Sequence, residues 1–337
     1  MLAEHLIPFH LENYKIHTLV VDSKALSGNP LGDPALRYIP VLVPKAEGEF
    51  PLVLFLSGYA GDGVKNFAFK GFENNLVQDI DLWTSQGEAP KAIYAFANAW
   101  TVWGGSQFIN SKGCGQYEDY LVSEVCAQLK RNLPISSNPS DWCVHGGSSG
   151  GYGVLSLMSR HGDVFKKGVA IAPDSFFEAS LLPEIYKAVP IIEELGGTQK
   201  ILNSYRFGDL KLSGGLFFQV FNVIAMAHCY APMSENSEPI FPIDHQGKLI
   251  AEIWQQWKSH DPIEFLPKSK SNLQSIEALY LSVGSKDEYG LQYGARQIKA
   301  LCQDQIKNFS YKEFQGTHRD LSKDRLDSLK WLKNILS

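Results

Sequence analysis

The sequence predicts an α/β fold: a mostly parallel, doubly wound sheet of about eight strands with a large helical insertion. Three observations predict it. Short, nearly continuous apolar runs such as LVLFLS and ALYLSV recur along the chain, as expected of strands buried on both faces. Helical patterns alternate with them, the signature of right-handed βαβ crossovers. The alternation then breaks over 175–272, where long aromatic segments such as LFFQVFNVIAMAHCY and LIAEIWQQW read as helix.

In chain order, strands are expected at 17–21, 37–43, 52–57, 92–97, 142–145, 168–172, 278–283 and 309–314, with helices at 117–133, 152–160, 291–302 and 320–335. The first two strands are separated only by the Gly/Pro-rich LSGNPLGDP, so they are expected to form an antiparallel hairpin at the sheet edge. The core is assigned to 1–174 and 273–337, and the mostly helical insertion to 175–272. An insertion of this size on an α/β scaffold is expected to act as a cap over the active site, with a packing or homodimerisation subdomain as the alternative.

The composition is that of a globular protein, 44% hydrophobic and 20% charged, with a net charge of −5. There is no basic stripe of the kind nucleic acid requires. The five cysteines, Cys114, Cys126, Cys143, Cys229 and Cys302, are scattered without a CxxC pair, which argues against structural zinc and for a reducing compartment. The N-terminal stretch lacks a basic region followed by an apolar one, and no apolar run is long enough for a transmembrane helix. A cytoplasmic location, no membrane span, no metal and no organic cofactor are therefore expected.

The motif that carries chemistry is Trp142-Cys-Val-His-Gly-Gly-Ser148-Ser149-Gly-Gly-Tyr-Gly153. A strand runs into glycines, a serine, more glycines and then a helix, which is the context a G-x-S-x-G nucleophile elbow needs. The turn is strained, so its neighbours must lack side chains, and the helix N-terminus offers free N–H groups. Two registers fit. Ser148 is favoured because the strand then reaches the elbow at His145, and Ser149 is the alternative. A phosphate loop would need GK[ST], which is absent.

A serine needs an imidazole to accept its proton, and in the α/β-hydrolase arrangement the order is Ser, acid, His. Of the later histidines, His161 ends the elbow helix, His228 and His245 lie in the insertion, and His260 precedes an Asp-Pro turn. His318 follows the last strand on the loop Gln-Gly-Thr-His, so it is the expected base. Asp287, in the loop Gly284-Ser-Lys-Asp287 after the preceding strand, is the expected acid, with Asp174 as the rival. The oxyanion donors expected are the backbone N–H groups of Ser149 and of Tyr59, the latter in the loop Ser57-Gly58-Tyr59 after an early strand. The loop over 100–111 is a candidate pocket wall, with Trp103, Gln107 and Phe108 as lining residues together with Gly58; packing beneath the insertion explains its aromatics equally well.

On these residues the chain resembles the esterase D-like group of α/β-hydrolases, which includes S-formylglutathione hydrolases, feruloyl esterases, enterochelin esterases and mycolyltransferases. The resemblance rests on the elbow GGSSGGYG, on Ser57-Gly58-Tyr59, on the segment from Asn110-Ser111 through Gly115-Gln-Tyr-Glu-Asp-Tyr-Leu to Glu124, and on Gly316-Thr-His318. It covers roughly 35–175 and 275–335, and it supports Ser148 over Ser149. The insertion departs from the smaller members and leaves the substrate open. The resemblance implies hydrolysis of a small carboxylic ester through an acyl-enzyme. An acyltransferase or peptidase on the same triad, or an inactive binding member, are the rivals.

Overall fold

The computed structural model describes residues 9–231 and 238–336; residues 1–8 and 337 of the core segments and 232–237 of the insertion lie outside the described residues. Eight strands form one sheet: β1 (Tyr14–Asp22), β2 (Leu36–Pro44), β3 (Leu52–Leu56), β4 (Ile93–Phe96), β5 (Trp142–Gly147), β6 (Lys167–Ile171), β7 (Ala278–Gly284) and β8 (Asn308–Phe314). Their spatial order is β1-β2-β4-β3-β5-β6-β7-β8. The β1–β2 hairpin is antiparallel, as expected from its Gly/Pro-rich link, and runs from Tyr14 opposite Pro44 to Asp22 opposite Leu36. The β2–β4 pairing is also antiparallel, and every later pairing is parallel.

The period of two along β3 builds the two layers. Leu52, Leu54 and Leu56 face one apolar layer, and Val53 and Phe55 face the other. The second layer is closed by α1 (Leu76–Ser85) and by α8 (Arg325–Leu336), through Leu76, Val77, Ile80, Leu329 and Leu332. The first is closed by α2 (Ser149–Arg160), whose Val154, Leu155, Leu157 and Met158 are buried, each side chain contributing about 1.5–3 kcal/mol. A helical segment over 117–132 packs on the same side, with a π-helical stretch at Tyr120–Val125.

The insertion contains α3 (Leu182–Glu194), α4 (Thr198–Phe207), α5 (Gly214–Tyr230) and α6 (Ala251–Ser259). The apolar middle of α5 and Trp257 of α6 join the first layer. That continuity explains why α5 is apolar around most of its girth: it lies between the core and the rest of the insertion. Farther on, α7 (Leu291–Cys302) follows β7. The helix expected at 320–335 begins as a 3-10 turn at His318–Asp324 before becoming α8. Thr317 caps that turn in a reciprocal box with Asp320, so the winding starts at His318 itself. Among the described residues no helix is long and apolar enough to cross a membrane.

Candidate active site

The C-terminal edge of the sheet brings the elbow, the β7–α7 loop and the loop after β8 together. At the elbow Ser148 has φ 57 and ψ −128, a conformation that non-glycine residues rarely adopt. The flanking glycines make it possible. A Cβ on Gly146 would lie 2.3 Å from the Gly150 carbonyl oxygen, and one on Gly150 would lie 2.2 Å from that of Leu56. The turn thus passes against its own helix and against β3 with no room for a side chain.

The Ser148 Oγ lies 2.9 Å from His318 Nε2, and His318 Nδ1 lies 2.8 Å from Asp287 Oδ2. Asp287 is fully enclosed, and its other oxygen accepts from the Tyr289 N–H at 3.0 Å. The His318 backbone N–H donates to Glu288 at 2.7 Å, and the Tyr289 ring stands edge-on to the imidazole at 5.0 Å. Burial lowers the His318 pKa, but the hydrogen bond to Asp287 and the charges of Asp287, Asp174 and Glu288 outweigh it, leaving the pKa above its ordinary value.

The neighbouring Ser149 is arranged differently. Its hydroxyl is buried and donates to Asp174 Oδ2 at 2.8 Å. Asp174 therefore does not meet His318 through a hydrogen bond; burial raises its pKa, and the Ser149 and Ser148 hydroxyls partly counter that rise. The Ser149 N–H opens α2 and has no acceptor within the helix. Gly58 approaches the elbow closely: a Cβ there would be 3.5 Å from that of Ser148. Tyr59 follows, with its hydroxyl tied to the Trp103 carbonyl at 2.6 Å.

These residues open on a cavity of about 920 Å³. Gly58, Tyr59, Ser148, Ser149 and His318 line it, together with insertion residues that include Glu184, Phe218, Gln219, Asn222 and Met226. Trp103, Gln107 and Phe108 do not line it, which corrects the expected pocket wall. The loop turns inward through two successive positive-φ residues, Gln107 at 55° and Phe108 at 57°. The Phe108 ring then sits where a Gly153 Cβ would be, 2.5 Å away, and Trp103 packs under α5 on Phe221 and His228. Two of the other histidines are engaged elsewhere: His161 pairs with Glu118 at 2.7 Å, and His260 stacks on Tyr230. No motif in the sequence singles out Glu288, Tyr289 or the insertion side chains on the cavity wall. Only their closeness to Asp287 in the chain marked the first two.

The sheet order and the serine turn between β5 and α2 define the α/β-hydrolase class. Solved structures across the full length share the fold: a ferulic acid esterase (15% identity, 96% of this chain and 100% of that one, TM-score 0.60), the Staphylococcus aureus fluorophosphonate-binding serine hydrolase F (14%, 96% and 100%, 0.57) and an S-formylglutathione hydrolase of Staphylococcus aureus (14%, 97% and 100%, 0.56). No curated protein sequence matches the chain. A family described as "Putative esterase" matches residues 37–321; the chain belongs to that family and is a carboxylic ester hydrolase.

Proposed function

We propose that this protein hydrolyses a small carboxylic ester with Ser148 as nucleophile, His318 as general base and Asp287 as the carboxylate that orients the imidazole. The observation that carries this reading is the unbroken line of hydrogen bonds from Ser148 Oγ through His318 to the enclosed Asp287, at 2.9 and 2.8 Å. Asp287 fixes the tautomer with the proton on Nδ1, so Nε2 is free to accept from Ser148. The Ser148 oxygen attacks the ester carbonyl as its proton passes to Nε2. The charge that develops on the carbonyl oxygen meets the Ser149 N–H and the Tyr59 N–H. His318 then gives the proton to the departing alcohol. A water activated by the same nitrogen clears the acyl-enzyme and restores Ser148.

The strain at Ser148 supports the assignment, because the backbone holds the hydroxyl toward the cavity and away from the helix. The insertion acts as a cap, as its side chains on the cavity wall suggest. Treatment with a fluorophosphonate followed by peptide mass spectrometry tests the reading. An adduct on Ser148, together with loss of p-nitrophenyl ester turnover in Ser148→Ala, is the expected result. An adduct on Ser149, or full turnover by Ser148→Ala, would overturn it.

A further inference from the structure

The cavity beside Ser148 extends to both sides of the sheet, and its two arms differ in charge. The arm under the insertion carries Glu184, whose carboxylate is already held by Lys187 and Gln219. The other arm runs between the loop after β3 and the start of α8, and Phe55, Leu76 and Leu321 from the second apolar layer form its walls. It carries Lys65, Lys70, Asn75 and Arg325, with Asp62 as its carboxylate.

Two donors in this arm lack partners. Arg325 is half-buried, and among the described residues its guanidinium has neither an ion pair nor a hydrogen bond. Asp79 is the carboxylate whose charge it feels, and it stands outside salt-bridge reach. Asn75 is 3% exposed, and its Nδ2 has no partner. Its Oδ1 accepts from the Gln78 N–H at 3.0 Å as the cap of α1, which fixes the amide with its NH₂ group turned away from the helix. His145 lies in the same arm, stacked on Phe55, with Nε2 at 3.1 Å from the Ser328 hydroxyl. A guanidinium drawn out of bulk water and a buried amide donor are each costly when left unpaired, both belong to residues that line this cavity, and both are donors of the kind a carboxylate accepts.

We infer that this arm binds a carboxylate borne by the substrate, with Arg325 and Asn75 as the residues that select it, so that the enzyme prefers esters carrying an anionic end away from the scissile bond. The inference rests on the proposed hydrolysis at Ser148. The carboxylate enters the arm of Asn75 and Arg325 while the ester carbonyl stays at the elbow, and the uncharged remainder of the substrate lies toward the insertion. Lys65 at the same arm adds to the field that draws an anion in, whereas the charge of Lys70 is met by Glu73 at 3.3 Å.

The test uses matched substrates that differ only in that charge. On the acyl side, p-nitrophenyl glutarate is compared with p-nitrophenyl glutaramate; on the alcohol side, 4-acetoxybutanoate is compared with 4-acetoxybutanamide. The kcat/KM ratio of carboxylate to amide is expected to exceed about ten on one of the two sides. Arg325→Gln and Asn75→Asp should each lower that ratio by about ten-fold. Asn75→Asp keeps the oxygen that caps α1 while replacing the donor with a negative charge, so it separates recognition from folding. A ratio near one on both sides in the unaltered enzyme, or a ratio that neither substitution moves, would overturn the inference. Calorimetric binding of the preferred carboxylate ester to Ser148→Ala, with and without Arg325→Gln, reads the arm without turnover. Turnover surviving in Ser148→Ala would sink the hydrolytic reading, whereas binding indifferent to Arg325 would sink this one.

Discussion

Two loops leave the same edge of the sheet, and both force non-glycine residues into positive φ. At the elbow the strained residue is Ser148, and its hydroxyl meets His318 beside a cavity. In the loop over 100–111 the strained residues are Gln107 and Phe108, and both side chains are buried. The backbone distortion is similar in kind, but what lies beyond each side chain differs. An open cavity turns strain into exposure of a reactive group, while a packed interior turns it into a wedge that fills the space above Gly153. Strain and loop position alone therefore do not mark a site.

The largest expected effect separates the two loops outright. Ser148→Ala should lower kcat for a p-nitrophenyl ester by about 10⁴-fold or more, with the melting temperature little changed. Asp287→Asn should cost about 10³–10⁴-fold, because the imidazole loses the partner that fixes its tautomer. The same change has a pH signature. The base works only when neutral, and its neighbours hold the His318 pKa above the ordinary 6.5. The acidic limb of kcat/KM should therefore fall above that value in the unaltered enzyme, and it should move to lower pH in Asp287→Asn.

The other loop should respond in the opposite sense. Phe108→Ala should cost about 3–5 kcal/mol in chemical denaturation, from lost burial and the cavity left behind, with less than about ten-fold change in kcat. A large loss of kcat in a protein that remains as stable would show that Phe108 touches the substrate. The smallest effect is expected at Ser149→Ala. The N–H group of residue 149 survives that change, and only the hydroxyl held by Asp174 is lost, so kcat should fall by less than about ten-fold and stability by about 1–2 kcal/mol. A loss matching that of Ser148→Ala would exchange the roles of the two serines.

The same contrast explains what the sequence could and could not reveal. The strands were legible because burial on both faces leaves unbroken apolar runs, as in LVLFLS. The elbow was legible because its geometry excludes Cβ atoms, and glycine is the only residue without one. His318 and Asp287 could be singled out because each follows a strand and the topology carries strand ends to one edge. The role of Trp103, Gln107 and Phe108 was not legible, because aromatics that line a pocket and aromatics that fill a core have the same composition. Nor was the second arm of the cavity. Asn75 and Arg325 are far apart in sequence, and each carries an ordinary local signal, a helix cap and a helix start.

The hydrogen bond between Ser148 and His318 joins residues separated by 170 positions. At typical synthesis rates of about 5–20 residues per second, roughly 10–30 s pass between the emergence of one and the other from the ribosome. During that interval the growing polypeptide holds Ser148 without the imidazole it will meet in the folded protein. On the proposed mechanism catalytic competence is thus withheld until translation has delivered the last strand and the loop behind it, and a prematurely terminated product lacking that loop would be inert toward the esters around it.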